Sequence, residues 1–144
     1  MKKAFTMIEL IFVIVILGIL AAVALPKFLG VANQAHEANL KSFVGTLNRT
    51  VGPSLWSKSL TEGDGGKIAG LGVNLSTYTD IPKEVNSNIS LSACGTNSWG
   101  TIGEANTTVT GSSYTIKCRD GNATNSPTFL LYKSNTCIAG PCPN

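Results

Sequence analysis

The chain has 144 residues, of which 43% are hydrophobic, 7% aromatic and 13% charged. That is room for one small domain once the apolar first 25 residues or so are set aside. The net charge of +3 includes Lys2 and Lys3; without them nine basic residues face eight acidic ones, and no Lys/Arg run occurs, which argues against nucleic-acid binding. His36 is the only histidine and no CxxC pair occurs, so no metal set is expected; no phosphate loop, nucleophile elbow or HExxH is present, so neither a cofactor nor catalysis is expected.

In chain order, Lys2 and Lys3 precede an apolar helix beginning at Phe5. The helix carries one carboxylate, Glu9, followed by sixteen uncharged residues from Leu10 to Leu25. Phe5 to Leu25 would span about 31 Å, enough for a bilayer core of about 30 Å. The two lysines keep the N-terminus cytoplasmic and send everything after Leu25 outward. A cleaved signal peptide is the competing reading, with Ala22-Val23-Ala24 as an A-x-A site; the length of the apolar run and the presence of Glu9 oppose it. A plain transmembrane anchor is the second alternative, but an ionisable group at membrane depth needs a partner, and an anchor supplies none. Gly18 and Pro26 weaken the helix at two points and mark a stretch that can melt when the segment leaves lipid; Pro26 can equally just end the span.

Residues 27–58 are predicted to continue as an amphipathic helix. Phe28, Val31, Ala32, Ala35, Leu40, Phe43, Val44, Leu47 and Val51 recur at helical spacing, a stripe suited to packing on a sheet. His36 is expected among solvated residues, and Glu37 with Lys41 is expected to be an ordinary exposed i, i+4 pair. Gly52-Pro53 reads as a stop or kink, with a further turn through Leu55 and Trp56 as the alternative.

From residue 59 to 144 the composition turns to Gly, Ser, Thr and Asn and predicts a β-rich head, giving an α+β chain. Glu62-Gly63-Asp64-Gly65-Gly66 is a loop with too few carboxylates for calcium. Strands are expected at Ile89–Leu91, Thr107–Thr110, Ser113–Cys118 and Thr128–Tyr132, the second and third joined as a hairpin through Gly111-Ser112. Cys94, Cys118, Cys137 and Cys142 suit disulfides in an oxidising compartment. Of the three pairings that can be drawn, the short turn-rich loop from Cys137 to Cys142 favours Cys94 with Cys118 and Cys137 with Cys142. Asn-x-Ser/Thr occurs at Asn48, Asn74, Asn88, Asn106 and Asn122. Two of these, Glu104-Ala105-Asn106-Thr107-Thr108 and Asp120-Gly121-Asn122-Ala123-Thr124, carry an acid two places earlier and resemble the extended acceptor of bacterial oligosaccharyltransferases, making Asn106 and Asn122 candidate glycosylation sites.

The order Phe5-Thr6-Met7-Ile8-Glu9-Leu10 behind a four-residue basic leader, with Gly18 and Pro26 beyond, resembles the N-terminus of type IV pilins and pseudopilins over roughly residues 1–30. The resemblance implies a leader 1–4, cleavage between Ala4 and Phe5 by a prepilin peptidase, and methylation of the new amine. Ala4 departs from the glycine usual before the cut. Residues 5–26 become the transmembrane and assembly helix, and Glu9 becomes a recognition residue for the next subunit. Cutting before Phe5 leaves a cationic amine near Glu9, and a carboxylate away from water is tolerated when a cation answers it. The loop closed by Cys137 and Cys142 resembles the disulfide-bounded C-terminal region of pilins. The implied function is a structural subunit of a type IV pilus, an inner-membrane precursor that becomes a helical homo-oligomer outside the cell with the help of pilus assembly machinery. Alternatives are a periplasmic pseudopilin of a type II secretion system and a membrane-anchored binding protein that never assembles.

Overall fold

The computed structural model describes residues 5–86 and 88–143, and the chain divides into two units, Met1–Ala35 and His36–Asn144, each taken by itself below. Helix α1 is Met7–Thr46, a π-helical turn is Leu47–Val51, and helix α2 is Gly52–Glu62. The helical run Met7–Glu62 is long and apolar enough to cross a membrane by length and composition. Pro53 therefore neither stops the helix nor ends it at Val51. A proline ring presses on the carbonyl four residues back, and a wider i→i+5 turn makes room for it. That turn precedes Pro53, with the Gly52 N–H bonded to Leu47 O. Helix α2 ends where Gly63 takes a left-handed conformation at φ 89°.

In the first unit, the described apolar residues of α1 are largely exposed, Phe28 and Val31 among them, so the stripe expected to pack on a sheet is buried only from Leu40 onward. Phe5 is 84% exposed, Ile8 76% and Phe12 67%. Pro26 lies inside α1, which runs through it and through Gly18.

The second unit has a core of its own. Leu40, Val44, Leu47, Val51 and Leu55 are buried along one helix face, against Ile116, Cys118, Phe129 and Leu131 of the sheet and Ile68 and Leu75 of the connecting segment. The sheet is a four-stranded antiparallel meander: β1 (Gly100–Glu104), β2 (Tyr114–Arg119), β3 (Thr128–Lys133) and β4 (Thr136–Ala139). Strand β2 alternates buried Tyr114, Ile116 and Cys118 with more exposed Thr115, Lys117 and Arg119, the period of a half-buried strand.

Three strand expectations need correction. Ile89–Leu91 is not a strand; a short 3₁₀ turn covers Leu91–Ala93. Thr107–Thr110 is a single helical turn, α3, because Asn106 Oδ1 accepts the Thr108 N–H and caps it. Gly111 at φ 66° and ψ 2° closes that turn as a left-handed cap, so no two-residue hairpin forms there, and β2 instead pairs with β1 across α3. Strands β1 and β4 were not anticipated. Gly100 and Gly103 dilute the pattern of β1. The β3–β4 hairpin turns on Ser134 (φ 46°) and Asn135 (φ 71°), both positive as a type I′ turn requires.

One of the ties between helix and sheet is a carboxamide. Asn48 Nδ2 donates to Phe129 O at 2.8 Å while the Phe129 N–H donates to Asn48 Oδ1 at 2.8 Å. Phe129 lies beyond the last β3–β4 pair, Leu131 with Ala139, so the side chain stands where a neighbouring strand is missing.

Candidate assembly site

The start of α1 is a reciprocal cap. Thr6 N–H and Thr6 Oγ1 donate to Glu9 Oε2 at 3.0 and 2.8 Å, and the Glu9 N–H approaches Thr6 Oγ1 at 3.4 Å. This is the Ser/Thr-x-x-Glu arrangement that satisfies helix N–H groups at both ends of the box. Both Thr6 donors reach Oε2, and among the described residues Oε1 accepts no hydrogen bond. Glu9 is thus held in place by its own chain while one oxygen faces outward. Thr6 was missed as a positioning residue, although Thr6-Met7-Ile8-Glu9 carries the spacing that signals such a box. Phe5 precedes the cap and is exposed; Ala4 and the rest of the leader lie outside the described residues.

Two polar clusters organise the head. Glu37 is no ordinary exposed partner of Lys41. Its Oε1 lies 2.7 Å from Lys41 Nζ, while Oε2 accepts from Lys133 Nζ at 2.8 Å and from Tyr114 Oη at 3.0 Å. The Lys133, Lys41 and Tyr114 hydrogen bonds hold the carboxyl down at about 2, and the bond to Glu37 pushes the Lys133 ammonium up. His36 is not solvated as expected. Its side chain is 20% exposed, and Nδ1 lies 2.7 Å from Oε1 of Glu84, which is almost wholly buried. Burial pushes the Glu84 carboxyl up, but hydrogen bonds from Asn39 (3.0 Å) and His36 outweigh it, and the net shift is downward. Nothing in the local pattern around Glu84 pairs it with a helix 45 residues earlier.

Both favoured disulfides are present, Cys94–Cys118 with Cα atoms 4.8 Å apart and Cys137–Cys142 at 5.8 Å. The first fastens the segment before β1 to the middle of the sheet. Asn106 sits at the entry to α3, and Asn122 in the exposed loop after β2.

Residues 1–25 match the family model described as the prokaryotic N-terminal methylation motif. Over 38 residues the chain is 55% identical to the type IV narrow pilus major component PilA5 of Thermus thermophilus, a stretch that is 26% of this chain and 33% of that protein. The chain therefore spans about a third of the length of the curated relative it matches. No solved structure matches. With the methylation motif at the front and a long N-terminal helix followed by a small antiparallel sheet, the chain has an α+β architecture like that of type IV pilins.

Proposed function

We propose that the chain is a structural subunit of a type IV pilus, cut before Phe5 by a prepilin peptidase and polymerised through its N-terminal helix. The observation that carries this reading is the first part of α1, Met7 to Leu25, apolar and exposed, with one positioned carboxylate, Glu9, near its start. Such a surface is stable in lipid or among copies of itself and in few other places. In this reading the leader is 1–4, the membrane and assembly helix 5–26, the amphipathic helix 27–58 and the head 59–144. The precursor waits in the inner membrane with the head outside, where the disulfides can form.

Assembly then follows from charge. Removal of the leader frees a cationic amine at Phe5, and Oε1 of Glu9 in an incoming subunit accepts a hydrogen bond from the amine of one already in the fibre. Methylation keeps that nitrogen cationic. Gly18 and Pro26 mark the stretch of α1 that gives way when the helix passes from lipid to the bundle. The disulfide at Cys137–Cys142 and the lack of any acidic residue after Asp120 favour a pilus subunit over a pseudopilin of a secretion apparatus.

Mass spectrometry of sheared surface fibres tests the reading. The expected result is an N-terminal peptide beginning at methylated Phe5; recovery of the chain only as membrane monomers that retain Met1 would reject it.

A further inference from the structure

The five Asn-x-Ser/Thr sites are not equivalent once folded. Asn48 is committed at both ends of its carboxamide, with Nδ2 donating to Val44 O and Phe129 O and Oδ1 accepting from Phe129. Asn74, Asn106 and Asn122 share a different arrangement. In each, Oδ1 accepts both the N–H and the hydroxyl of the residue two places on: Ser76 at 3.1 and 2.9 Å, Thr108 with its N–H at 3.1 Å, and Thr124 at 2.9 and 2.9 Å. The carboxamide nitrogens of these three donate no hydrogen bond among the described residues.

The residue two places earlier separates them further. Asn74 has Gly72 there. Asn122 has Asp120, which is 7% exposed and fully engaged: Oδ1 accepts from the Ile68 and Gly121 N–H groups at 2.6 and 2.9 Å, and Oδ2 from the Ala69 N–H at 3.4 Å. Asn106 has Glu104, an exposed residue at the end of β1 whose carboxylate makes no hydrogen bond or ion pair among the described residues. Thr107 and Thr108 are exposed beside it. Of these three, among the described residues, Asn106 alone combines a carboxamide nitrogen that donates no hydrogen bond, a hydroxyl already on its oxygen and an acid open to an enzyme.

We propose that Asn106 is an N-glycosylation site used on the folded, exported head, and that Asn122 is not. The donor is an oligosaccharide linked to a lipid diphosphate. Nδ2 of Asn106 bonds to the anomeric carbon of the sugar as the bond from that carbon to the diphosphate oxygen breaks. One amide proton passes to a base on the transferase and the lipid diphosphate departs, with no change of oxidation state. The step requires the head to lie outside the inner membrane, as the disulfides do, but does not require fibres. Failure of polymerisation and failure of this proposal are therefore read separately.

The test is glycopeptide mapping and intact-mass analysis of the full chain made in its own host, taken from the membrane fraction and from any fibres, as wild type, N106Q and E104Q. E104Q alters an exposed side chain and leaves the Asn106 cap and the Thr108 hydroxyl in place, so it keeps the fold. The expected result is a glycan on the Asn106 peptide of the wild type, absent from N106Q and reduced at least tenfold in E104Q, with Asn122 bare throughout. A bare Asn106 in the wild type, a glycan on Asn122, or unchanged occupancy in E104Q would each overturn the proposal.

Discussion

The two units of the chain spend their charges in opposite ways. Between Phe5 and Leu25 there is a single ionisable side chain, capped by its neighbour and left with one oxygen open. In the head, by contrast, the carboxylates of Glu37 and Asp120 accept on both oxygens from their own chain, and the almost wholly buried Glu84 accepts from His36 and Asn39. A carboxylate answered internally fixes a fold. One held in place but incompletely answered is available to fix a partner.

The largest expected effect lies on the open side of that contrast. Glu9→Ala removes the group proposed to meet the neighbouring amine while leaving every apolar residue of α1 intact. Sheared fibres should fall below detection, while the protein remains in the membrane fraction at its usual amount. A normal fibre yield from this variant would remove Glu9 from the assembly mechanism.

On the closed side, the disulfide between Cys94 and Cys118 spans 24 residues. Chain-entropy reasoning gives such a crosslink about 3 kcal/mol. Replacing both cysteines by serine should lower the stability of the head by roughly that amount in a denaturant titration, with little change in membrane insertion. A midpoint equal to wild type would show that the crosslink only decorates an already stable core.

Glu37 gives a smaller effect with a pH signature. Its carboxyl titrates near 2 in the folded head against an ordinary value of 4.5, so its contribution is present in full above 4.5 and is lost as pH falls from there toward 2. Because Lys41 and Lys133 are 44% and 40% exposed, solvent screens part of it. Glu37→Gln should therefore cost about 1–2 kcal/mol at pH 7. The gap from wild type should close in acid; a gap that stays constant down to pH 2.5 would show that packing and not charge is responsible.

The same contrast explains what could be read from residues in order. The methylation motif of the N-terminal segment was legible because its information is local: two lysines, an unbroken apolar run and one charge within it lie side by side. The amphipathic stripe from Leu40 to Val51 and strands β2 and β3 were legible for the same reason, their periods being intrinsic to helix and strand. What failed was set by distant partners or by local polar competition. Glu84 reaches His36 and Asn39 across more than forty residues, and no pattern near Pro82 or Val85 announces it. Thr107–Thr110 has strand-like composition, but a capping asparagine on one side and a left-handed glycine on the other turn it into helix. The pairing of Cys137 with Cys142 could be favoured in advance because its loop is short, whereas Asn48 standing in for a missing strand could not.

The smallest effect expected is at Thr6. The cap places the Glu9 side chain and, in the proposed assembly, does not itself meet the neighbouring subunit, so its loss should loosen assembly without abolishing it. Thr6→Val keeps the shape and removes the hydroxyl that donates to Oε2 and accepts from the Glu9 N–H. Caps of this kind contribute about 1 kcal/mol, so a several-fold reduction in fibre yield or in the rate of fibre growth is expected, with Thr6→Ser restoring most of it. A purely apolar role for Thr6 in helix packing predicts the reverse order, with valine tolerated and serine impaired. The serine and valine variants together therefore decide whether Glu9 is positioned by its own helix before it meets a partner, or only by the partner itself.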